Sequence, residues 1–370
     1  MNKMLVFIKK EIVFCVAGVL AIATAFVVHP SKAYFGYIDY KVLALLLSLM
    51  LVVAGLRSFG IFTRIIEVIS SKIKSTRMLE LLLVFICFFS SMVITNDVAL
   101  ITFVPFAIEL LATIGKKKHM IYIIVLQTIA ANLGSMVTPI GNPQNIFLFT
   151  RYQMDIGDFF GTMIWYALAA MVLLTVLVLI LPDDKVVTAN KTVAKTKYKE
   201  WKLLLLGIIF VLCILCVLRV LDYRIMLFAT VVFIFMVDYR LMVKADYMLL
   251  LTFVAFFILT GNIKSMEVIN RGLAEIVSGK ELPVSILLSQ VISNVPAAVL
   301  LANFTDNGKM LLAGVNIGGL GTLIASMASL ISFRFYGETE GADKRKYIGI
   351  FTALNLLFLG VMIITSRIFV

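Results

Sequence analysis

The sequence predicts an all-α polytopic membrane protein built from two inverted-topology repeats. Three observations carry that reading. Of 370 residues, 62% are hydrophobic and the mean hydropathy is +1.06, against about 45–50% apolar in soluble domains. Lys and Arg cluster in the gaps between apolar runs. Polar breaks rich in Asn, Gly and Pro interrupt those runs at matching places in the two halves.

A helical span needs about 20 apolar residues, which gives about nine spans here, two of them broken, plus two re-entrant hairpins. Residues 1–40 hold the first run, at 11–28. Lys9, Lys10 and Ala23-Thr24-Ala25 imitate a secretory leader, but the run continues through Val28 and reads as a retained helix. Repeat 1 covers 41–181. It contains a span at 41–56, an amphipathic basic stretch at 57–77, a hairpin over 78–114 (two full spans being the alternative that the basic flanks also allow), a broken helix over 120–149 and a span at 159–181. Segment 120–149 is too long for one straight helix across ~30 Å of hydrocarbon. Gly134, Pro139, Gly141 and Pro143 mark where it unwinds, near 134–145.

Residues 182–202 form a Lys-rich linker, and 203–246 hold connecting spans at 203–221 and 225–243. Asp238 and Arg240 shorten the second of these. Repeat 2 covers 247–370 in the same order: a span at 247–262, an amphipathic stretch at 263–281, a hairpin over 283–304, a broken helix over 310–335 and a span at 348–366. Both amphipathic stretches read as interfacial helices.

The charge pattern sets orientation by the positive-inside rule. Lys3, Lys9 and Lys10 place the N-terminus in the cytoplasm. The stretch at 57–77, Lys116-Lys117-Lys118, the linker and Arg334 with Lys344-Arg345-Lys346 fall on the same side. Crossings counted from there invert repeat 2 and leave the C-terminus outside. The expected location is the cytoplasmic membrane. The net charge of +12 is explained by these loops, so no nucleic-acid partner is expected.

Backbone unwound inside a bilayer leaves N–H and C=O groups unpaired, at several kcal/mol each unless something satisfies them. Two such breaks at matching positions point to a solute site made from broken helices. The first break reads Thr95-Asn96-Asp97, then Asn132 to Asn145; the second reads Ser293-Asn294-Val295-Pro296, then Asn316 to Ser326. Asp97 is the acidic residue expected deep in the membrane, where it serves a bound cation, a proton or a helix N-cap. Free carbonyls near Pro139 and Pro143, beside Asn142, Gln144 and Asn145, suit a hard cation, while half-helix N-termini suit an anion.

Gly318, Gly319 and Gly321 permit close approach of a ligand. Thr322, Ser326 and Ser329 share a helical face, either with the site or as small-residue packing. Candidate substrate contacts are Thr95, Asn96, Thr138, Asn142, Ser293, Asn294, Gly319 and Thr322. Candidate cation contacts are Asn96, Asp97, Gly141, Asn145, Asn294 and Gly318. No cofactor or resident metal is expected beyond Na⁺ or H⁺ as coupling ion.

Zinc-protease, nucleophile-elbow and P-loop patterns are missing, so no enzyme is expected. Cys213 and Cys216 form a C-x-x-C without a second pair and read as helix packing. His29 and His119 stand at segment ends.

At Thr95-Asn96-Asp97, Thr138 to Asn145, Ser293-Asn294 and Gly318 to Ser329, the chain resembles the ion transporter superfamily. That group includes citrate-type permeases, divalent-anion/sodium symporters and arsenite permeases. The resemblance covers about residues 41–366. It implies two hairpin tips and two unwound loops around one anion, with cations alongside. Asn96 and Asn294 would be the tip asparagines; Gly141 to Asn145 and Gly318 to Thr322 would line the loops. It also implies a homodimer in which a transport domain moves against a scaffold.

The sodium–dicarboxylate branch has Ser-Asn-Thr at each tip. Here Thr-Asn-Asp and Ser-Asn-Val each lack one hydroxyl, which is closer to the citrate-type and arsenite branches. The leading expectation is a secondary transporter of a small citrate-like carboxylate or oxyanion, driven by Na⁺ or H⁺. Arsenite or antimonite efflux, a Na⁺/H⁺ antiporter using Asp97, a passive channel and a non-transporting sensor are the alternatives.

Overall fold

The computed structural model describes residues 11–61, 64, 73, 75–184 and 200–369. Most of the expected 57–77 stretch and of the 182–202 linker lies outside the described residues. Eight helices among the described residues are long and apolar enough to cross a membrane. They are Tyr40–Ser58, Thr76–Ile94, Asn96–Thr113, Ile156–Leu179, Glu200–Val217, Tyr223–Lys244 (its last turns a 3₁₀ helix), Tyr247–Ser265 and Lys344–Phe369.

This set differs from the nine spans expected. It includes both arms of the first hairpin, which at 19 and 18 residues each have the length of a span. It omits the broken helices, whose halves are too short singly: Met120–Ser135 with Pro143–Arg151, and Gly308–Ile317 with Met327–Gly337. It also omits Ile12–Ala25, a 14-residue helix. The stretch at 225–243, shortened on paper by Asp238, continues as a 3₁₀ turn to Lys244, with Asp238 accepting from the N–H of Arg240 at 3.0 Å.

Aspartate and asparagine start many of these helices, because their side chains accept from N–H groups that have no partner within the helix. Asp39 accepts from Val42 N, Asp246 from Leu249 N, and Asn307 from Met310 N. The amphipathic Glu267–Val277 helix keeps Val268, Ile269 and Ile276 exposed. Exposed Leu168, Val172, Val176 and Leu179 recur down one face of Ile156–Leu179, as expected of a lipid-facing stripe.

Met120–Ser135 behaves differently, because every residue in it except Tyr122 is buried. A helix buried on all sides belongs in the interior, and Thr76–Ile94, Asn96–Thr113, Ile156–Leu179, Met327–Gly337 and Lys344–Phe369 pack around it. The first arm of each hairpin packs along the first half of its own broken helix. Glycine sets how close they come. A Cβ on Gly134 would lie 2.1 Å from Phe88 O, and one on Gly318 would lie 2.7 Å from Ser289 Oγ.

At the basic end of the bundle, Ser75 Oγ and Arg77 N donate to Asp183, and Thr76 N and Oγ1 donate to Asp184 O. Lys116 pairs with Asp184. His119 Nδ1 lies 2.6 Å from Oε1 of Glu80, a fully buried carboxylate. Residues 75–77, 116–119 and 181–184 therefore share one face.

The two hairpins turn in the same unusual way. Thr95 has φ 70°, ψ 152°, and Ser293 has φ 75°, ψ 154°. Only glycine adopts this region readily, and another residue there costs about 1–3 kcal/mol. Thr95→Gly is accordingly expected to stabilise the protein. The strain relieved exceeds the ~0.5–1 kcal/mol that glycine loses in backbone entropy. Thermal unfolding of purified wild type, Thr95→Gly and Ile94→Gly would check this. A midpoint that falls equally in both variants would show that the tip is not strained.

Candidate functional site

Each broken helix unwinds and restarts at a polar N-cap position, Asn142 with a side-chain cap bond and Ser326 without one. Met120–Ser135 gives way to a loop that ends at Asn142, which caps Pro143–Arg151 by accepting from Asn145 N at 2.9 Å. Pro143 suits this restart, since its missing N–H would have had no helical partner. Gly308–Ile317 gives way to a loop that ends at Ser326, just before Met327–Gly337. Asn142 and Ser326 stand at the same spacing beyond Asn132 and Asn316.

Those four residues make a crossed pair of hydrogen bonds. Asn142 Nδ2 donates to Asn316 Oδ1 at 3.0 Å, and Ser326 Oγ donates to Asn132 Oδ1 at 3.0 Å. In both, a cap from one repeat reaches an asparagine of the other. Asn132 Oδ1 also accepts from Asn96 Nδ2 at 3.0 Å, so the first hairpin tip joins the network. Asn132 Nδ2 faces Gly319 O at 3.5 Å. Asn316 Nδ2 donates to Asn145 Oδ1 at 2.7 Å, and Gln144 Nε2 donates to Asn316 Oδ1 at 3.4 Å.

The second tip closes the ring. Asn294 N donates to Ala325 O at 2.9 Å, and a Cβ on Gly319 would lie 2.8 Å from Asn294 Nδ2. The helices starting at Asn96, Pro143, Asn294 and Met327 all begin in this network. Asn96, Asn132, Asn142, Asn145, Asn294, Asn316 and Ser326 are buried, and no charged side chain takes part among the described residues. Gln144 Oε1 is buried without a partner there.

Each hairpin is also fastened to its own loop. Thr138 Oγ1 donates to Met92 O. Gln290 Nε2 donates to Gly318 O at 2.9 Å and Leu320 O at 3.0 Å, while Thr322 Oγ1 donates to Gln290 O at 3.1 Å. The hydroxyls of Thr138 and Thr322 are thus committed to hairpin arms. Asn145 Nδ2 donates to the carbonyls of Ser135, Met136 and Thr138 and holds the first loop closed. Gly141 N donates to Thr138 O inside that loop, and Ser293 Oγ donates to Ala325 O at 3.3 Å.

Asp97 stands apart from the other candidates. Its N–H donates to Asn96 Oδ1, but its side chain lines a cavity of about 180 Å³. Thr95, Arg57, Lys244 and Asp246 share that lining. The proposed cation contacts therefore divide between this cavity and the amide network.

Asn132, Ser135, Asn316, Ser326 and Gln290 were missing from the candidate contacts. A signal for them exists. Ser91-Met-Val-Ile-Thr-Asn96 and Ser289-Gln-Val-Ile-Ser-Asn294 share one pattern, and Asn132-Leu-Gly134 matches Asn316-Ile-Gly318. Aligning the halves on these strings equates Asn132 with Asn316 and Asn142 with Ser326.

A family model described as citrate transporter matches residues 3–308. The chain belongs to the citrate transporter family. The uncharacterized transporter MJ0456 of Methanocaldococcus jannaschii is 32% identical over 345 residues, 93% of each chain. The inner membrane protein YbiR of Escherichia coli is 31% identical over 325 residues, 85% of this chain and 84% of its own. The silicon efflux transporter LSI3 of rice, Oryza sativa, is 28% identical over 142 residues, 38% of this chain and 29% of its own. Membership makes this family member a multi-pass membrane transporter of a solute rather than an enzyme.

The crossed pair makes a quantitative prediction. Asn132→Ala and Ser326→Ala together should lose less stability than the sum of the single losses, with a coupling of about 0.5–3 kcal/mol. Asn132→Ala alone should be the worse single change, since it strands both Asn96 and Ser326 donors in the interior. Thermal unfolding of the three variants measures the coupling, and strict additivity would remove the cross-repeat bond from the account.

Proposed function

We propose that this protein is a secondary active transporter of a small anion, a citrate-like carboxylate or oxyanion, across the cytoplasmic membrane, coupled to H⁺ or Na⁺. The convergence of four helix N-termini on one buried amide network supports this reading most directly. Helix N-termini present free N–H groups and about half a positive charge each, which favours an anion without a fixed cation. The Asn96, Asn142 and Asn294 amides would donate to it. Backbone carbonyls and the open Gln144 Oε1 are oxygen ligands of the kind a hard cation takes.

Asp97 is the coupling group on this reading. It lines the cavity of about 180 Å³ rather than the network, and its side chain has no hydrogen bond or ion pair among the described residues. Binding a proton or Na⁺ there, next to the tip residue Asn96, would tie ion binding to the conformation of the hairpin. The same separation favours a second reading, in which Asp97 alone carries ions in a Na⁺/H⁺ antiporter. The likeness to a protein named as a silicon exporter favours a third, efflux of an uncharged hydroxide such as arsenite or antimonite.

Ligand-induced thermal stabilisation separates these readings. Purified protein is heated with a panel of anions, with and without Na⁺, at two pH values. A ligand at about 100 times its Kd adds ~2.7 kcal/mol. Stabilisation by citrate or another carboxylate, lost in Asn294→Ala, is expected. In Asp97→Asn the anion should still stabilise, but without dependence on Na⁺ or pH. Stabilisation by arsenite or Na⁺ alone would replace the anion reading, and an unchanged ion dependence in Asp97→Asn would end the role given to Asp97.

A further inference from the structure

The molecule has a second, larger cavity of about 740 Å³ that the amide network does not use. Two helices fix its place. Tyr40–Ser58 puts Lys41 in this cavity and Arg57 in the smaller one beside Asp97. Tyr247–Ser265 runs the other way, with Lys264 in the larger cavity and its N-cap Asp246 in the smaller. Nineteen residues of helix span ~28 Å. The two cavities therefore open at opposite ends of the same spanning helices. The larger one lies away from Arg57, on the side where positive-inside counting puts the exterior.

Three cations, Lys41, Arg151 and Lys264, line the larger cavity against one carboxylate, Asp39. Asp39 is already engaged as a helix cap, accepting from Val42 N at 3.0 Å. None of the three cations forms an ion pair among the described residues; Arg151 donates only to Asn303 Oδ1, at 3.4 Å. A concave site lined by one sign of charge focuses field and concentrates counter-ions.

Phe147 and Phe257 also line it, and their ring centroids lie 5.8 Å apart. Phe147 belongs to Pro143–Arg151, the half-helix whose first turn carries Gln144 and Asn145 of the network. The basic cavity and the amide network therefore share one nine-residue helix, the cavity taking Phe147 and Arg151 and the network Gln144 and Asn145.

We propose that this cavity is an outer anion-binding antechamber. It holds small carboxylates or oxyanions by charge before they reach the amide network. The inference rests on the anion reading of that network for its purpose, but not for its own ligand. It also sets the charge class of the solute, because a basic antechamber concentrates anions and does nothing for an uncharged hydroxide.

The test uses the full-length protein in vesicles of known sidedness. Pyridoxal phosphate, an anionic amine reagent, is applied from one side and fixed by reduction, and Lys41 and Lys264 are read by mass spectrometry. Both should be modified from the outer side only. Citrate and sulfate should each protect them by about threefold or more, and less as salt screens the cavity. Arg151→Gln should weaken protection, whereas Asn294→Ala should leave it in place.

Equal modification with and without anions would overturn the proposal. So would protection that disappears in Asn294→Ala, since the signal would then come from the central site. Labelling from the inner side alone would overturn the outer placement. Protection without any anion transport by the wild type would leave the antechamber standing and remove the anion-transport reading. Transport without protection would do the reverse.

Discussion

Everything at the centre of this molecule depends on one crossed pair of hydrogen bonds, Asn142 to Asn316 and Ser326 to Asn132. A broken helix inside a membrane leaves donors and acceptors that no water in the hydrocarbon can satisfy. Here each repeat satisfies only part of its own break, through Asn145 in the first and Gln290 in the second. The cap that restarts one helix is bonded to the asparagine that precedes the other break. Unfastening one loop would strand buried amides in both repeats, at about 1–3 kcal/mol per unsatisfied group. The matching breaks in the two halves are thus tied to each other by chemistry, because the same reach is made from both sides.

The hairpins follow from that centre. Their tips must deliver an asparagine into an already crowded network, and the chain turns through a glycine-like conformation at Thr95 and Ser293 to do so. The strain is held by bonds on either side. Thr138 and Gln290 fasten each arm to its own loop, and Gly134 and Gly318 let the arm approach closely enough to be fastened. Hairpin and broken helix therefore form one unit in each half. The helices Tyr40–Ser58 and Tyr247–Ser265 run beside these units and carry a cavity at each end.

The breaks themselves were legible because they are made of residues with a mechanical reason to be there. Asn142-Pro143 reads as a cap followed by a first helical residue, and Gly318 to Ser326 reads as a place where no helix continues. Lys and Arg positions gave the shared face of residues 75–77, 116–119 and 181–184. The partners of Asn132 and Asn316 were not legible in the same way. Their bonds run between repeats, across sequence separations that no periodicity reports, and only an alignment of the two halves would have paired them. Asp97 shows the opposite case. Its position next to Asn96 suggested one shared site, but adjacent residues at a helix start point in different directions. One faces the network and the other a cavity. The first hairpin was legible in extent, 78–114 against the observed arms Thr76–Ile94 and Asn96–Thr113, but not in depth, because a polar turn marks where a chain reverses and says nothing about how far across the bilayer each arm runs.

The choice of amides over fixed cations has a thermodynamic consequence for a carrier. With the site closed on itself, Asn96, Asn142 and Gln144 already donate to carbonyl oxygens of Asn132 and Asn316. On the anion reading, a solute entering this network would exchange amide–amide bonds for amide–anion bonds. Bonds to a charged acceptor are roughly twice as strong as neutral ones, but the anion must first be stripped of water. The exchange is then a difference of two similar quantities, and the empty site is left with satisfied groups rather than a buried, unpaired arginine. A fixed cation would bind more tightly and, once empty, would bear a penalty of several kcal/mol. On the transporter reading, the neutral network lets the solute arrive and leave with comparable ease, while the fixed charges of Lys41, Arg151 and Lys264 stay at the outer cavity, where water shares their cost.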